Sequence, residues 1–160
     1  MLARDLARPF PVLGLDGDAM DAARLMVERG LPGLIVVDDD QHPVAVLPGS
    51  QILRFVVPRY VQDDPTLAHV YAERQADRLC ERLRGHTVRD LLPDDPSRPP
   101  VVEGDATVME IAALMAGARS PLVAVVESKG GPRPPMIGAI SVADLLRRLL
   151  PKGDEHGTGS

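Results

Sequence analysis

The chain has 160 residues, 44% hydrophobic and 26% charged, a composition that suits a folded globular protein and excludes disorder of the whole. Its 18 Lys and Arg against 23 Asp and Glu give a net charge of -5, which opposes non-specific binding to nucleic acid or an anionic membrane. Cys80 is the single cysteine, so no intrachain disulfide framework exists, and no stretch approaches the ~18 apolar residues of a membrane span. A body of this length buries roughly 70% of its unfolded surface, enough for one domain or two small lobes sharing a core. Arg4, Asp5 and Arg8 interrupt the N-terminus, which therefore lacks the apolar run of a signal peptide. With a lone thiol, the expectation is a reducing compartment and a cytoplasmic protein.

In chain order, Pro11-Val-Leu predicts a short extended segment, and a helix follows in which Ala19, Ala22, Ala23 and Met26 hold the i, i+3, i+4, i+7 spacing. Asp18, with Asp21 three residues later, is its start signal, and Gly30 suits its end. The run Leu34-Ile-Val-Val has no polar alternation, as expected of a strand covered on both faces. A turn over Asp38 to Pro43, a strand over Val44 to Leu47 and a second helix complete the unit.

The same pattern then returns. Residues 16–38 align without a gap on residues 105–127, a constant offset of 89, with eight identities in 23 positions. Val108, Ile111, Ala112 and Met115 repeat the helical spacing, and Thr107 with Glu110 forms a capping-box signature. Leu122-Val-Ala-Val-Val repeats the strand, and a turn from Ser128 to Pro135, across which the offset grows by four residues from 89 to 93, leads into Met136 to Ile140. The last helix keeps an apolar stripe at Val142, Leu145, Leu146 and Leu149. Leu53-Arg54 and Pro58 return as Leu146-Arg147 and Pro151 at offset 93, and Arg4-Asp5-Leu6 as Arg89-Asp90-Leu91 at offset 85. Each unit reads strand, helix, strand, strand, helix. Two such halves each have an apolar face to bury, so they are expected to face one another across a shared cleft.

Between the copies lies an insert from about Arg59 to Gly85. Asp64-Pro65 is a helix entry, and Leu67, Val70, Tyr71, Leu79, Cys80 and Leu83 make a broken apolar face. The pairs Arg74 with Asp77 and Arg78 with Glu81 lie on the other face at i, i+3. A helix packed on the module, with Cys80 buried, is the first expectation, and a docking helix for a partner is the second. From Gly153 the tail is polar and Gly-rich. His42, His69, His86 and His156 have no close metal-ligand spacing, and neither a nucleophile elbow, a Walker loop nor a dinucleotide fingerprint is present.

The segments DATVMEIAALM, PLVAVVE and GAISVADLLRRLL, with the weaker echoes DGDAMDAARLM, PGLIVVDDD and AVLPGSQILR, resemble a tandem pair of cystathionine-β-synthase (CBS) domains, the Bateman module. The resemblance implies an α+β fold of two pseudo-twofold-related β-α-β-β-α motifs forming one module, with an inserted helix between them. The expected boundaries are 1–58 and 87–151 for the motifs, 59–86 for the insert and 152–160 for a disordered tail. It further implies a regulatory, sensing and non-catalytic role, with no metal or catalytic cofactor. The ligand would be adenosine-containing: AMP, ADP, ATP or S-adenosylmethionine. The implied partners are a transporter, channel or enzyme and a second copy in a homodimer.

In that family the ligand motif is a Gly, two apolar positions, a Ser or Thr, two residues and an Asp, matched here by Gly138, Ser141 and Asp144. A carboxylate at a helix start accepts both hydroxyls of a ribose, and the Ser hydroxyl with free N–H groups faces a phosphate. Gly138 would allow close approach of the ligand to the backbone. Ser141 with Asp144 is equally a capping signature. The resemblance also puts the base near the backbone of Val101 and Val102. Arg119, Arg133 and Arg147 are neighbours in sequence with no assigned role. In the first copy Ala45, Pro48 and Gln51 replace Gly138, Ser141 and Asp144, so one adenosine site is expected, anchored by Asp144. A dimerisation scaffold with two degenerate clefts is the alternative.

Overall fold

The computed structural model describes residues 1–70, 73–96 and 98–153, without the side chains of 70, 73 and 74. Tyr71, His156 and the side chains of Val70 and Arg74 therefore lie outside the described residues. In chain order the elements are α1 (Ala3–Leu6), β1 (Val12–Gly14), α2 (Ala19–Arg29), β2 (Gly33–Val37), β3 (Pro43–Pro48) and α3 (Gly49–Val56). The insert holds α4 (Arg59–Asp63) and α5 (Glu73–Ala76), and the second copy follows. It comprises α6 (Val88–Leu91), β4 (Val101–Glu103), α7 (Val108–Ala118), β5 (Leu122–Val126), β6 (Met136–Ser141) and α8 (Val142–Leu149).

The repeat read from the sequence is a repeat of hydrogen-bond register. In the first sheet Val12 pairs with Ile35 in parallel and Gly33 with Pro48 antiparallel. In the second, Val101 pairs with Ala124 and Leu122 with Ser141 in the same senses. Both antiparallel ladders slip at one place, between Val36 and Val37 and between Val125 and Val126. The starts of the long helices follow their signals: the Asp18 carboxylate accepts the Asp21 amide at 3.0 Å, and the Thr107 hydroxyl accepts that of Glu110 at 3.2 Å. Gly30 closes α2 in the left-handed region at φ 60°.

Side-chain alternation on the central strands explains their lack of polar residues. Leu34 and Val36 join Ala19, Ala22 and Met26 in one core, and Val123 and Val125 join Ile111 and Met115 in another. The opposite faces, Ile35 and Val37 with Leu122 and Ala124, meet in a third cluster that joins the two sheets. Every residue of β2 and β5 is buried because each strand has protein on both sides.

The segments that precede the two copies are exchanged. Ala3 and Arg4 donate to Ala106 and Gly104 at 2.8 and 2.9 Å, so α1 docks on the second lobe. Val88 and Arg89 donate to Gly17 and Leu15 at the same two distances, so α6 docks on the first. Each lobe thus carries the lead-in segment of the other, which ties the pair into one body.

The insert differs from the single helix expected. Its described part is four short pieces: α4, a 3-10 stretch over Pro65–Val70, α5 and a second 3-10 stretch over Leu79–Leu83. Asp64 does cap the Pro65 turn, accepting the Thr66 hydroxyl at 2.6 Å and its amide at 3.2 Å. The apolar residues are too sparse to hold a continuous helix, and of the described residues of the insert Leu83, fully buried, and the half-buried Leu79 reach the first core. Cys80 is exposed rather than buried, because the turn that seats Leu79 directs its neighbour outward. Arg78 and Glu81 form no ion pair among the described residues, since no regular helix sets their spacing.

Candidate functional site

β6 ends at Ser141 and α8 begins at Val142, so Ser141 and Asp144 occupy the N-cap and N3 positions of one helix. The Ser141 hydroxyl accepts the Asp144 amide at 3.1 Å, and the Asp144 carboxylate accepts the Ser141 amide at 3.4 Å. This is a capping box, and it occupies one carboxylate oxygen. The other oxygen faces two guanidiniums, Arg147 at 3.1 Å and Arg8 at 3.6 Å. The Asp144 side chain is only 16% exposed, whereas both arginines are more than half exposed. Burial pushes this carboxyl up, but Ser141 through its hydroxyl and amide, then Arg8 and Arg147, outweigh burial and hold it below the usual carboxylate range. At neutral pH the group is an anion with exchangeable partners on one side.

Arg8 arrives here because the lead-in segment of the first copy crosses to the second lobe. Its backbone forms two antiparallel hydrogen bonds with Ala139, both 3.0 Å. Gly138 has no side chain for a local reason: a Cβ there would stand 2.8 Å from the Arg8 carbonyl and 3.1 Å from the Ala7 Cβ. The group that approaches Gly138 closely is thus the crossing strand. Asp144, Arg147, Arg148 and the Asp5–Arg8 stretch line an open hollow of about 280 Å³.

Val101 and Val102 are elsewhere. Val102 is buried in the second core, and Val101 lines a different hollow of about 410 Å³ with His42, Pro43, Val44, Arg98 and Arg133. The chain before β4 runs along the first lobe, where Pro93, Arg98 and Pro100 meet Val46 and Pro48. The structure puts Ser141 and Asp144 together at the entrance of α8, with Gly138 on the strand before them, and sets Val101 and Val102 on β4 of the same sheet, on the far side of β5. Arg8 is a site neighbour that sequence reasoning missed, since nothing in the repeat indicates which lobe its segment visits.

The corresponding place in the first lobe has a different chemistry. Register equivalence puts Pro48 opposite Gly33 as Ser141 is opposite Leu122, and the Gln51 amide donates to the Leu91 carbonyl at 3.0 Å. Pro93, the counterpart of Arg8, has no N–H with which to pair the strand. A cavity of about 270 Å³ lies here between the lobes, lined by Val46, Pro48, Gln51, Arg98, Arg119 and Ser120 among others. At its far edge the long second turn grips the first: Arg133 pairs with Asp38 at 2.6 Å, and His42 Nδ1 meets the Pro134 carbonyl at 2.9 Å. Among the described residues no group of three or more His, Cys, Asp or Glu is placed to hold a metal ion.

Two fused β-α-β-β-α lobes with a repeated register and an acidic residue at one helix entrance define a pseudo-twofold tandem module. The profile of the CBS domain matches residues 3–58 and 88–151, and the chain belongs to the CBS domain family. It is similar to the crystal structure of a CBS domain-containing protein of unknown function from Kribbella flavida, at 52% identity over 93% of this chain and 98% of that one, with a TM-score of 0.83. The fold is shared with CBSX2 in complex with AMP, at 22% identity over 92% of this chain and 95% of that one, TM-score 0.63. It is also shared with the CBS domain of a membrane protein from Sphaerobacter thermophilus, at 24% identity over 95% and 90%, TM-score 0.67. No curated protein matches the chain. No helix among the described residues is long and apolar enough to cross a membrane.

Proposed function

We propose that this protein is a non-catalytic sensor that binds one adenine nucleotide or adenosyl ligand beside Asp144 and passes the binding event to a partner. The observation that carries the reading is the Ser141 and Asp144 pair at the entrance of α8, a nearly buried carboxylate whose outward oxygen is held only by exposed arginines. A ribose diol replaces those arginine contacts, and the released Arg8 and Arg147 then face the phosphate. CBSX2, which shares the fold, has been crystallised with AMP, and this supports the ligand class. Because Arg8 belongs to the segment that leads into the first lobe, a ligand at Asp144 touches both lobes and biases their relative placement.

The second-lobe helices leave Met109, Leu146 and Leu149 about half exposed or more, a face suited to a second copy. The chain is therefore assigned to a homodimer, with a transporter, channel or enzyme as the regulated partner.

A thermal-shift screen with AMP, ADP, ATP and S-adenosylmethionine tests the ligand reading. A true ligand at 100 times its dissociation constant adds ~2.7 kcal/mol, or roughly 5 to 10 °C for a domain of this size. Silence with all four supports the alternative, a scaffold with two degenerate clefts. Sedimentation equilibrium on the same sample gives twice the 17.2 kDa chain mass if the dimer is real, and the chain mass if it is not.

A further inference from the structure

Two counterpart pairs of the pseudo-twofold repeat differ in kind. Arg8 and Ala139 exchange two backbone hydrogen bonds, both 3.0 Å, as an isolated antiparallel bridge. Their counterparts, Pro93 and Val46, both line the open space of about 270 Å³ beside β3. Proline has no N–H to donate, so the first lobe stays open where the second is shut. Gly138 belongs to the same closure. A Cβ there would stand 2.8 Å from the Arg8 carbonyl, and the first lobe has Ala45 at the equivalent position.

The closing contact is small. Pro9 and Pro11 lack N–H groups, so the pairing does not spread along β6 from the one bridge. Ala124, the partner of Ala139 in β5, turns its amide the other way, to the Pro100 carbonyl at 2.9 Å. Both backbone polar groups of Ala139 therefore point to the outer edge of the sheet, and releasing Arg8 leaves the β5–β6 ladder intact. The chain is anchored on either side, Ala7 against the second core and Phe10 against the cluster between the sheets. Arg8 and Pro9 span the gap between these anchors. The Arg8 guanidinium, 67% exposed and 3.6 Å from Asp144, adds an ion pair screened by solvent.

On the reading that the ligand binds at Asp144, on which this depends, we infer that Arg8 and Pro9 form an autoinhibitory strap that holds the second-lobe recess shut, and that the ligand enters by releasing it. One residue couples the two events. The Arg8 side chain faces the outward Asp144 oxygen, and its backbone closes the edge of β6. A ribose diol that takes that oxygen removes the side-chain hold, and the freed Ala139 edge then offers one N–H and one C=O to the ligand. The affinity measured is the intrinsic one reduced by the fraction of molecules in which the strap is open.

Amide hydrogen exchange and AMP titration of the full chain test the strap, with variants that place the first lobe's own residues in the second. Arg8→Pro deletes the Arg8 donor and suits its place, since Ala7 is already extended at φ -61° and ψ 133°, as a residue before proline must be. Arg8→Ala, which loses the guanidinium but keeps the N–H, is its control. Gly138→Ala sets a methyl against the Arg8 carbonyl and decides the matter if Arg8→Pro folds poorly. In ligand-free wild type the Ala139 amide should exchange at least a hundredfold faster than that of the buried Val123, through local opening. Arg8→Pro should bind AMP at least fivefold more tightly than Arg8→Ala, and Gly138→Ala at least fivefold more tightly than wild type. Ala139 exchange as slow as that of Val123 would mean that the bridge opens only with the whole molecule, and would overturn the strap whatever AMP does. Equal AMP affinities within each pair would overturn it as well. Fast Ala139 exchange with AMP bound by none of the four proteins would instead defeat the Asp144 reading, and the strap's role with it.

Discussion

Asp144 carries two jobs at once, and its geometry separates them. One oxygen completes the capping box with the Ser141 amide, while the other meets Arg147 and Arg8. Because these contacts favour the ionised form, the folded-state value lies below that of the unfolded chain, near 3.9. The sign follows: its contribution is fully present above about pH 4 to 5 and is lost as pH falls through the folded value. Thermal melts of wild type and Asp144→Asn should therefore differ most near neutrality and converge as pH falls through the lowered folded value. Parallel pH curves for the two proteins would show that the ionised form makes no net contribution. Asp38 and Asp90 are lowered in the same direction, so Asp144→Asn should itself still lose stability in acid.

The capping signature at Ser141 was readable in the sequence, as were those at Asp18 and Thr107, because caps are short-range chemistry. Arg8 was not readable. Its contact with Asp144 joins positions 8 and 144 through a crossing that no local pattern encodes. Hydrophobic runs likewise report that a strand such as β4, with Val101 and Val102, is covered, and not by which lobe.

At the scale of elements, apolar periodicity and turn chemistry placed every strand of both sheets, and the offsets of 89 and 93 reappear as paired registers. The insert resisted this approach. Its apolar residues suggest one helix face, yet the chain folds as short turns around a single deep anchor, Leu83. Arg82 adds a weak contact to the Val56 carbonyl at 3.4 Å, and Gln62 donates to the Arg54 and Val57 carbonyls at 2.9 and 2.8 Å, closing the end of α3. Removing a fully buried leucine costs about 2 to 5 kcal/mol, roughly 5 to 15 °C in a domain of this size. Leu83→Ala should melt lower by that amount, while Cys80→Ser, at an exposed position, should melt as wild type. A Leu83→Ala protein with an unchanged melting temperature would show that the insert is not part of the folded unit.

For the whole molecule, the central feature is a duplicated unit whose halves have diverged in opposite directions. The second lobe keeps the hydroxyl and the carboxylate, and the strand beside it is zipped to Ala139 by Arg8. In the first lobe both groups are gone, a proline stands where that zip would form, and a cavity remains between the lobes. Each of these places lies where a lead-in segment of one lobe crosses onto the other. The second-lobe helices also leave an apolar face at Met109, Leu146 and Leu149 exposed.

The most direct measurement is isothermal calorimetry of the ligand that gives the largest thermal shift, titrated into wild type and into Asp144→Ala. Wild type should show a single site per chain, and the variant, itself folded, should bind at least tenfold more weakly. Equal affinities in the two proteins would contradict the assignment of the adenosine site to Asp144.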